Sequence, residues 1–182
     1  MKLSPSSQSP AVDIPPITTF FSGEKATAQE TRAFLKRAKH ALANAFQPER
    51  PVTPLLKEAS NVVDIVLAYL WTEHVGDLPD IALIAVGGYG RGELFPQSDI
   101  DILILSRDVL SEEATRCLER FVASLWDTGL QVGHSVRTLQ ECEALAREDL
   151  TVVTTMMESR YLQGDTTLEP ALKAMTDTDR MW

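Results

Sequence analysis

Apolar positions fall in two rhythms along this chain. From Thr27 to Phe46 they return at Phe34/Leu35, Ala38, Ala41/Leu42 and Ala45/Phe46, the alternating three-and-four spacing of an amphipathic helix. Gln47-Pro48-Glu49-Arg50-Pro51 breaks that spacing. Thr53-Pro54 restarts it, with Thr53 predicted at the N-cap and Pro54 in the first helical position, where its missing N–H is no loss. Leu55, Leu56, Ala59, Val62, Val63, Val66, Leu67 and Leu70 carry this second helix.

Past Gly76-Asp77-Leu78-Pro79 the rhythm changes. Ile81 to Val86 is an unbroken apolar run, predicted as a buried strand; Asp99 to Leu105 and Leu130 to Val136 are predicted as two more. Arg91-Gly92-Glu93-Leu94 is predicted as a short helix leaving a glycine turn. Ser111-Glu112-Glu113 opens a helix that runs through Leu118, Phe121, Val122 and Leu125 to a stop at Gly129. Thr138-Leu139-Gln140-Glu141 is a capping box, and Asp149 is expected to cap a last helix through Met156, Met157 and Tyr161 that ends near Gly164. The resulting order of strands and helices predicts an α/β domain, a small sheet covered by helices. Residues 1–22, rich in Ser and Pro and without a period, read as a disordered tail. The expected division is therefore a tail over 1–22, a helical pair over 23–76 and the α/β core over 77–182. Trp71 and Trp126 are expected in the core or an interface, and Met156 and Met157 in the core.

The net charge of −9 argues against a general nucleic-acid binder, which needs a basic face to displace phosphate counterions. It leaves a triphosphate site open, since a bound cation and a few local arginines supply the positive charge. Cys117 and Cys142 match no metal-ligand spacing and read as free thiols of a reducing compartment. No apolar segment is long enough for a bilayer span, and the N-terminus has no signal-peptide pattern. A cytoplasmic protein with no membrane partner is expected.

The chemistry concentrates in Gly87-Gly88-Tyr89-Gly90-Arg91-Gly92-Glu93-Leu94-Phe95-Pro96-Gln97-Ser98-Asp99-Ile100-Asp101. Carboxylates at i and i+2 of a strand share a face. Mg²⁺ takes oxygen ligands, commonly one or two carboxylates together with substrate phosphates, so Asp99 and Asp101 are the predicted metal ligands. A glycine turn at Gly87 and Gly88 lets backbone N–H groups approach phosphates. Ser98 and Arg91 are candidates to hydrogen-bond phosphate oxygens, with solvent as the other destination for Arg91. The Walker P-loop pattern is absent, and Gly88, Gly90 and Gly92 do not form a dinucleotide fingerprint.

The glycine pair followed by Ser98-Asp99-Ile100-Asp101 resembles the signature of the polymerase-β-type nucleotidyltransferase superfamily. With Trp126-Asp127-Thr128-Gly129-Leu130-Gln131-Val132-Gly133-His134-Ser135-Val136-Arg137-Thr138 and Met157-Glu158-Ser159-Arg160-Tyr161-Leu162-Gln163-Gly164-Asp165, the chain more specifically resembles the N-terminal domain of the bacterial bifunctional uridylyltransferase/uridylyl-removing enzymes, over roughly residues 27–170. That resemblance implies a polymerase-β-type fold behind two leading helices. It implies transfer of UMP from UTP to a tyrosine of the PII signalling protein with Mg²⁺, release of pyrophosphate, Asp99 and Asp101 as metal ligands, and Gly87, Gly88 and Ser98 around the triphosphate.

Two departures stand out. The superfamily commonly supplies a third carboxylate from a later strand, and Gln131 to Arg137 holds none. His134 and Arg137 are left facing either the site or the sheet margin, and Asp149 is a weak candidate whose capping role ranks first. The chain also has no His-Asp pair, so uridylyl removal and glutamine sensing are expected to be absent. Two alternatives remain open: a nucleotidyltransferase for another nucleotide or acceptor, and a catalytically incomplete module that binds nucleotide or PII.

Overall fold

The computed structural model describes Val12, Ile14, Thr19 and residues 25–176; the expected tail over 1–22 and Trp182 therefore lie outside or almost wholly outside the described residues. Helix α1 spans Ala28–Ala45 and α2 spans Thr53–His74. They are followed by β1 (Ile81–Ala85), α3 (Gly87–Gly90), β2 (Ile100–Ser106), α4 (Glu112–Thr128), β3 (Val132–Thr138), α5 (Leu139–Glu148), α6 (Leu150–Met157), β4 (Arg160–Gly164) and α7 (Leu168–Met175).

Local chemistry sets most of these boundaries. Thr27 caps α1 through a reciprocal box with Glu30, and Thr138 does the same for α5 with Glu141. Ser111 accepts from Ala114 N at the start of α4, and Gly129 ends that helix in the left-handed region at φ 78°. The start of α2 differs from expectation by one residue: Val52 is the N-cap and offers no side-chain hydrogen bond, so Thr53 is already helical.

The four strands lie in the order β3-β2-β1-β4. β1 runs antiparallel to both β2 and β4, while β2 and β3 are parallel and joined through α4. Every residue of β1 is buried, which is why its sequence is continuously apolar. One face of the sheet presents Ile81, Leu83, Ala85, Ile102 and Ile104 to Phe34 of α1, Val66, Leu67 and Trp71 of α2, and Phe121 of α4. Trp71 meets Phe121 edge to face at 5.3 Å between ring centroids. The other face presents Ala82, Ile84, Leu103 and Leu105 to Cys142, Met156, Leu168 and Leu172 of α5, α6 and α7. An α/β sheet covered by helices is thus what the chain forms.

Three expectations need correction. The helix at the glycine turn is the turn itself, Gly87–Gly90, and Arg91 to Leu94 leave it as a turn and irregular chain, because Gly92 takes φ 71° and ends the helical path. The last predicted helix stops at Met157; Arg160–Gly164 is a fourth strand, and α7 follows it. Of the two tryptophans expected in the core or an interface, Trp71 lies in the core and Trp126 is 67% exposed, outside it. Met157 is also on the surface, whereas Met156 is buried. Both cysteines are free thiols, and among the described residues no helix is long and apolar enough to cross a membrane.

Candidate active site

Alternation along β2 decides where Asp101 goes. Ile100, Ile102 and Ile104 fill one face of the sheet, so Asp101 shares the opposite face with Leu103 and Leu105. It occupies the end of the strand, beyond the helices that cover Leu103 and Leu105, and its side chain is exposed. Its backbone carbonyl accepts from Val86 N at 3.0 Å, which fixes it beside the residue that enters the glycine turn.

Three close approaches define its carboxylate. Gly133 is the register partner of Asp101 on β3, and a Cβ built there would lie 2.5 Å from Asp101 Oδ1. Gly87 sits on the other side; its Cβ would lie 4.0 Å from Asp101 Oδ2 and 3.9 Å from Cγ2 of Thr155 on α6. Asp99 lies just ahead of β2, exposed, and close enough that its negative charge raises the Asp101 pKa. Burial is the larger cause of that rise and the Asp99 charge the second. A carboxylate disfavoured in this way gains from a nearby cation. Two hard oxygen donors suit Mg²⁺, and among the described residues no group of three His, Cys, Asp or Glu side chains is placed to hold a metal. The Asp99–Asp101 pair thus offers oxygen donors that could form the protein's share of a cation shell, with the Asp101 carboxylate itself filling the volume left bare at Gly133.

The glycine turn is built to bring backbone forward. Gly87 has φ 59°, a conformation L side chains rarely adopt. The hydrogen-bonded ladder of α3 begins only with Gly90 N to Val86 O and Arg91 N to Gly87 O, so the amides of Gly87 to Tyr89 precede it. Gly90 cannot carry a side chain at all, since a Cβ would fall 1.7 Å from the Glu158 carbonyl oxygen. Tyr89 points inward, 2% exposed, and its hydroxyl donates to Asp64 of α2. Arg160 on β4 donates to both Asp64 oxygens, at 2.7 and 3.1 Å, and stacks over the Tyr89 ring at 5.3 Å. Burial, followed by the Asp64 charge, pushes the Tyr89 hydroxyl far up, so it stays protonated as a donor.

Arg91 lies over the turn, with one guanidinium nitrogen 3.6 Å from where a Gly88 Cβ would be. It is exposed, and it pairs with Glu158 and with Glu93, the latter at 3.4 Å. Ser98 ends a turn in which its N–H donates to Phe95 O at 3.0 Å, with Pro96 second and Gln97 third at φ 69°. Ser98 is exposed and borders a groove of about 880 Å³ shared with α1 and α2.

The remaining candidates lie away from Asp101. His134 pairs with Ile102 in the register and so takes the opposite face. Arg137 shares the Asp101 face but pairs with Leu105 at the other end of the strand, where its charge acts on Glu141 and Cys142. Asp149 accepts from Thr151 N at 2.7 Å as the cap of α6. Sequence reasoning missed Gly133, Thr155 and Glu158. Only Gly133 carried a local signal, since a glycine inside a strand marks a close approach.

Residues 70–162 match the family model described as the nucleotidyltransferase domain. The chain is 46% identical over 149 residues to the bifunctional uridylyltransferase/uridylyl-removing enzyme of Pseudomonas putida (strain W619), covering 81% of this chain and 17% of that enzyme. It is 42% identical to the enzymes of the same name from Vibrio vulnificus and Photobacterium profundum, covering 89% and 87% of this chain and 19% and 18% of theirs. The chain thus spans less than a fifth of the length of these relatives. Among solved structures, a toxin–antitoxin with AMP-PNP aligns at a TM-score of 0.36 and 21% identity, over 64% of this chain and 82% of that one, too loosely to place a residue.

Proposed function

The chain belongs to the nucleotidyltransferase domain family, and on that premise we propose that it transfers UMP from UTP to a tyrosine hydroxyl of the PII signalling protein. The observation that carries the reading is the Asp101 carboxylate held between the glycine turn at Gly87 and the bare strand at Gly133, with Asp99 beside it. The choice of UMP is supported by the name its relatives carry, and the choice of PII by the resemblance of three sequence blocks to their N-terminal domain.

In this reading Asp99 and Asp101 hold Mg²⁺, and the Gly87–Gly88 turn receives the triphosphate with Arg91 and Ser98 reaching its oxygens. A bound Mg²⁺ supplies charge neutralisation on the phosphates and acidifies an attacking hydroxyl. The tyrosine oxygen forms a bond to the α-phosphorus, the bond from that phosphorus to the bridging oxygen breaks, pyrophosphate leaves with the electron pair, and the tyrosine proton passes to solvent. The residues of this chain orient the two reactants in line and hold the turn rigid through Tyr89, Asp64 and Arg160.

The test is transfer of label from α-labelled UTP, and separately from ATP, onto purified PII with Mg²⁺, using wild type and Asp101→Asn. Label from UTP that vanishes in the variant supports the proposal. Label from ATP alone keeps the reaction class and overturns the nucleotide. No label from either, with UTP still bound, makes the chain a binding module.

A further inference from the structure

We propose that Gly133 is a positioning residue for Asp101: by leaving one side-chain space on β3 empty, it allows the carboxylate to lie across the strand between Gly133 and Gly87. The inference rests on the reading of Asp101 as a metal ligand.

Three observations argue for it. The register of β2 and β3 sets Asp101 directly beside Gly133, and paired residues of parallel strands project to the same face, so a side chain at Gly133 and the Asp101 carboxylate compete for one volume. The distance states the conflict: a Cβ would sit 2.5 Å from Oδ1, closer than any ordinary contact. The usual reasons for glycine are missing. Gly133 is not among the residues with positive φ, so its backbone suits any amino acid. It is exposed on an edge strand, with no core packing to keep small. Glycine weakens a strand interior, so its presence here needs a local return, and the atom it accommodates belongs to Asp101.

The two carboxylate oxygens then have separate neighbours, Oδ1 toward Gly133 and Oδ2 toward Gly87. An alanine at position 133 collides with the far end of a side chain that can rotate, and β3 itself has no need to move. The fold is kept and the carboxylate is displaced from the glycine turn.

That combination is diagnostic. Mn²⁺ serves as the probe, titrated by electron paramagnetic resonance into wild type, Gly133→Ala and Asp101→Asn without nucleotide, alongside Tm measurements and crystal structures of the metal-free wild type and Gly133→Ala. Gly133→Ala is expected to keep or raise Tm, to weaken Mn²⁺ by about tenfold and to show a displaced Asp101 carboxylate. A lowered Tm, or an unmoved carboxylate, overturns the proposal; so does unchanged Mn²⁺ affinity when Asp101→Asn has lost it. If Asp101→Asn binds Mn²⁺ as well as wild type, the metal-ligand reading fails instead, and the carboxylate position alone decides the role of Gly133.

Discussion

Tyr89 donates its hydroxyl to Asp64, and so ties the turn after β1 to a helix that precedes the sheet in sequence. Arg160 completes the knot from β4 by donating twice to the same carboxylate and once, at 3.3 Å, to the Tyr89 carbonyl. Asp64→Ala removes the acceptor for both partners. Arg160 is only partly exposed, and it would be left without its counter-charge beside a buried hydroxyl. A loss of about 2–3 kcal/mol is expected in urea denaturation, against about 1 kcal/mol for Tyr89→Phe, which gives up one hydrogen bond. Since the knot holds α3, Asp64→Ala should also raise the KM for nucleotide more than it lowers kcat.

Gly90 is a harsher case. Its missing side chain faces the Glu158 carbonyl, with the Ala85 carbonyl 3.0 Å from where a Cβ would be. Both obstacles are backbone, so neither rotates away as the Asp101 carboxylate does at Gly133. Gly90→Ala should destabilise by about 3 kcal/mol, at the upper end for an overpacked site, and lower Tm accordingly. A calorimetric scan that shows an unshifted Tm would mean that α3 can move away from the Glu158 and Ala85 carbonyls freely.

How legible this was depends on the range of the interaction. The capping boxes at Thr27 and Thr138 lie within one turn of chain, and both were readable. Ile81 to Ala85 announced itself because a strand buried on both faces has to be apolar throughout. Arg160–Gly164 did not, because an edge strand whose residues are all half-buried carries no clean alternation, and its pairing with β1 is broken by a bulge between Leu83 and Ile84. The glycine turn and Asp101 were visible as a local string. Their surroundings were not: Glu158 reaches Arg91 across 67 residues, and Gly133 meets Asp101 only through the β2–β3 register. His134 and Arg137 stayed ambiguous for the same reason, since alternation separates two faces without saying which one holds the site.

Arg91 offers a prediction about nucleotide affinity. It is exposed and shared between Glu158 and Glu93, and surface ion pairs of this kind are worth about 0–1 kcal/mol. On the proposed reading, a triphosphate approaching Gly88 would compete with those carboxylates for the guanidinium. Glu158→Gln should therefore tighten UTP binding by up to about fivefold, and Arg91→Gln should weaken it by about tenfold. The double variant should behave like Arg91→Gln. Calorimetric titration without metal reads all three, and a weaker Glu158→Gln would mean that Glu158 presents Arg91 to the nucleotide and does not restrain it.

Asp101→Asn separates stability from activity, and pH gives the sign. Burial first, and the Asp99 charge second, raise the Asp101 pKa in the folded chain. The folded state therefore holds this proton more tightly than the unfolded state does. Stability falls as the pH rises from the ordinary carboxylate value through the raised one, and the whole penalty is present at neutral pH. Asparagine carries no charge to disfavour. The variant should melt above wild type at pH 7, by a margin that solvent screening of this exposed side chain keeps small, with the gain fading as the pH drops below the ordinary carboxylate range, where Asp101 is protonated in both states. On the proposed reading of Asp101 as a metal ligand, transfer should fall by roughly a thousandfold or more. Added Mg²⁺ with UTP should then raise the Tm of wild type far more than that of the variant, because a ligand stabilises only the chain that binds it. Melting curves at about pH 3 and pH 7 check the sign: a variant less stable than wild type at neutral pH would mean that the Asp101 carboxylate is held by attractive contacts that outweigh its burial and its repulsion from Asp99.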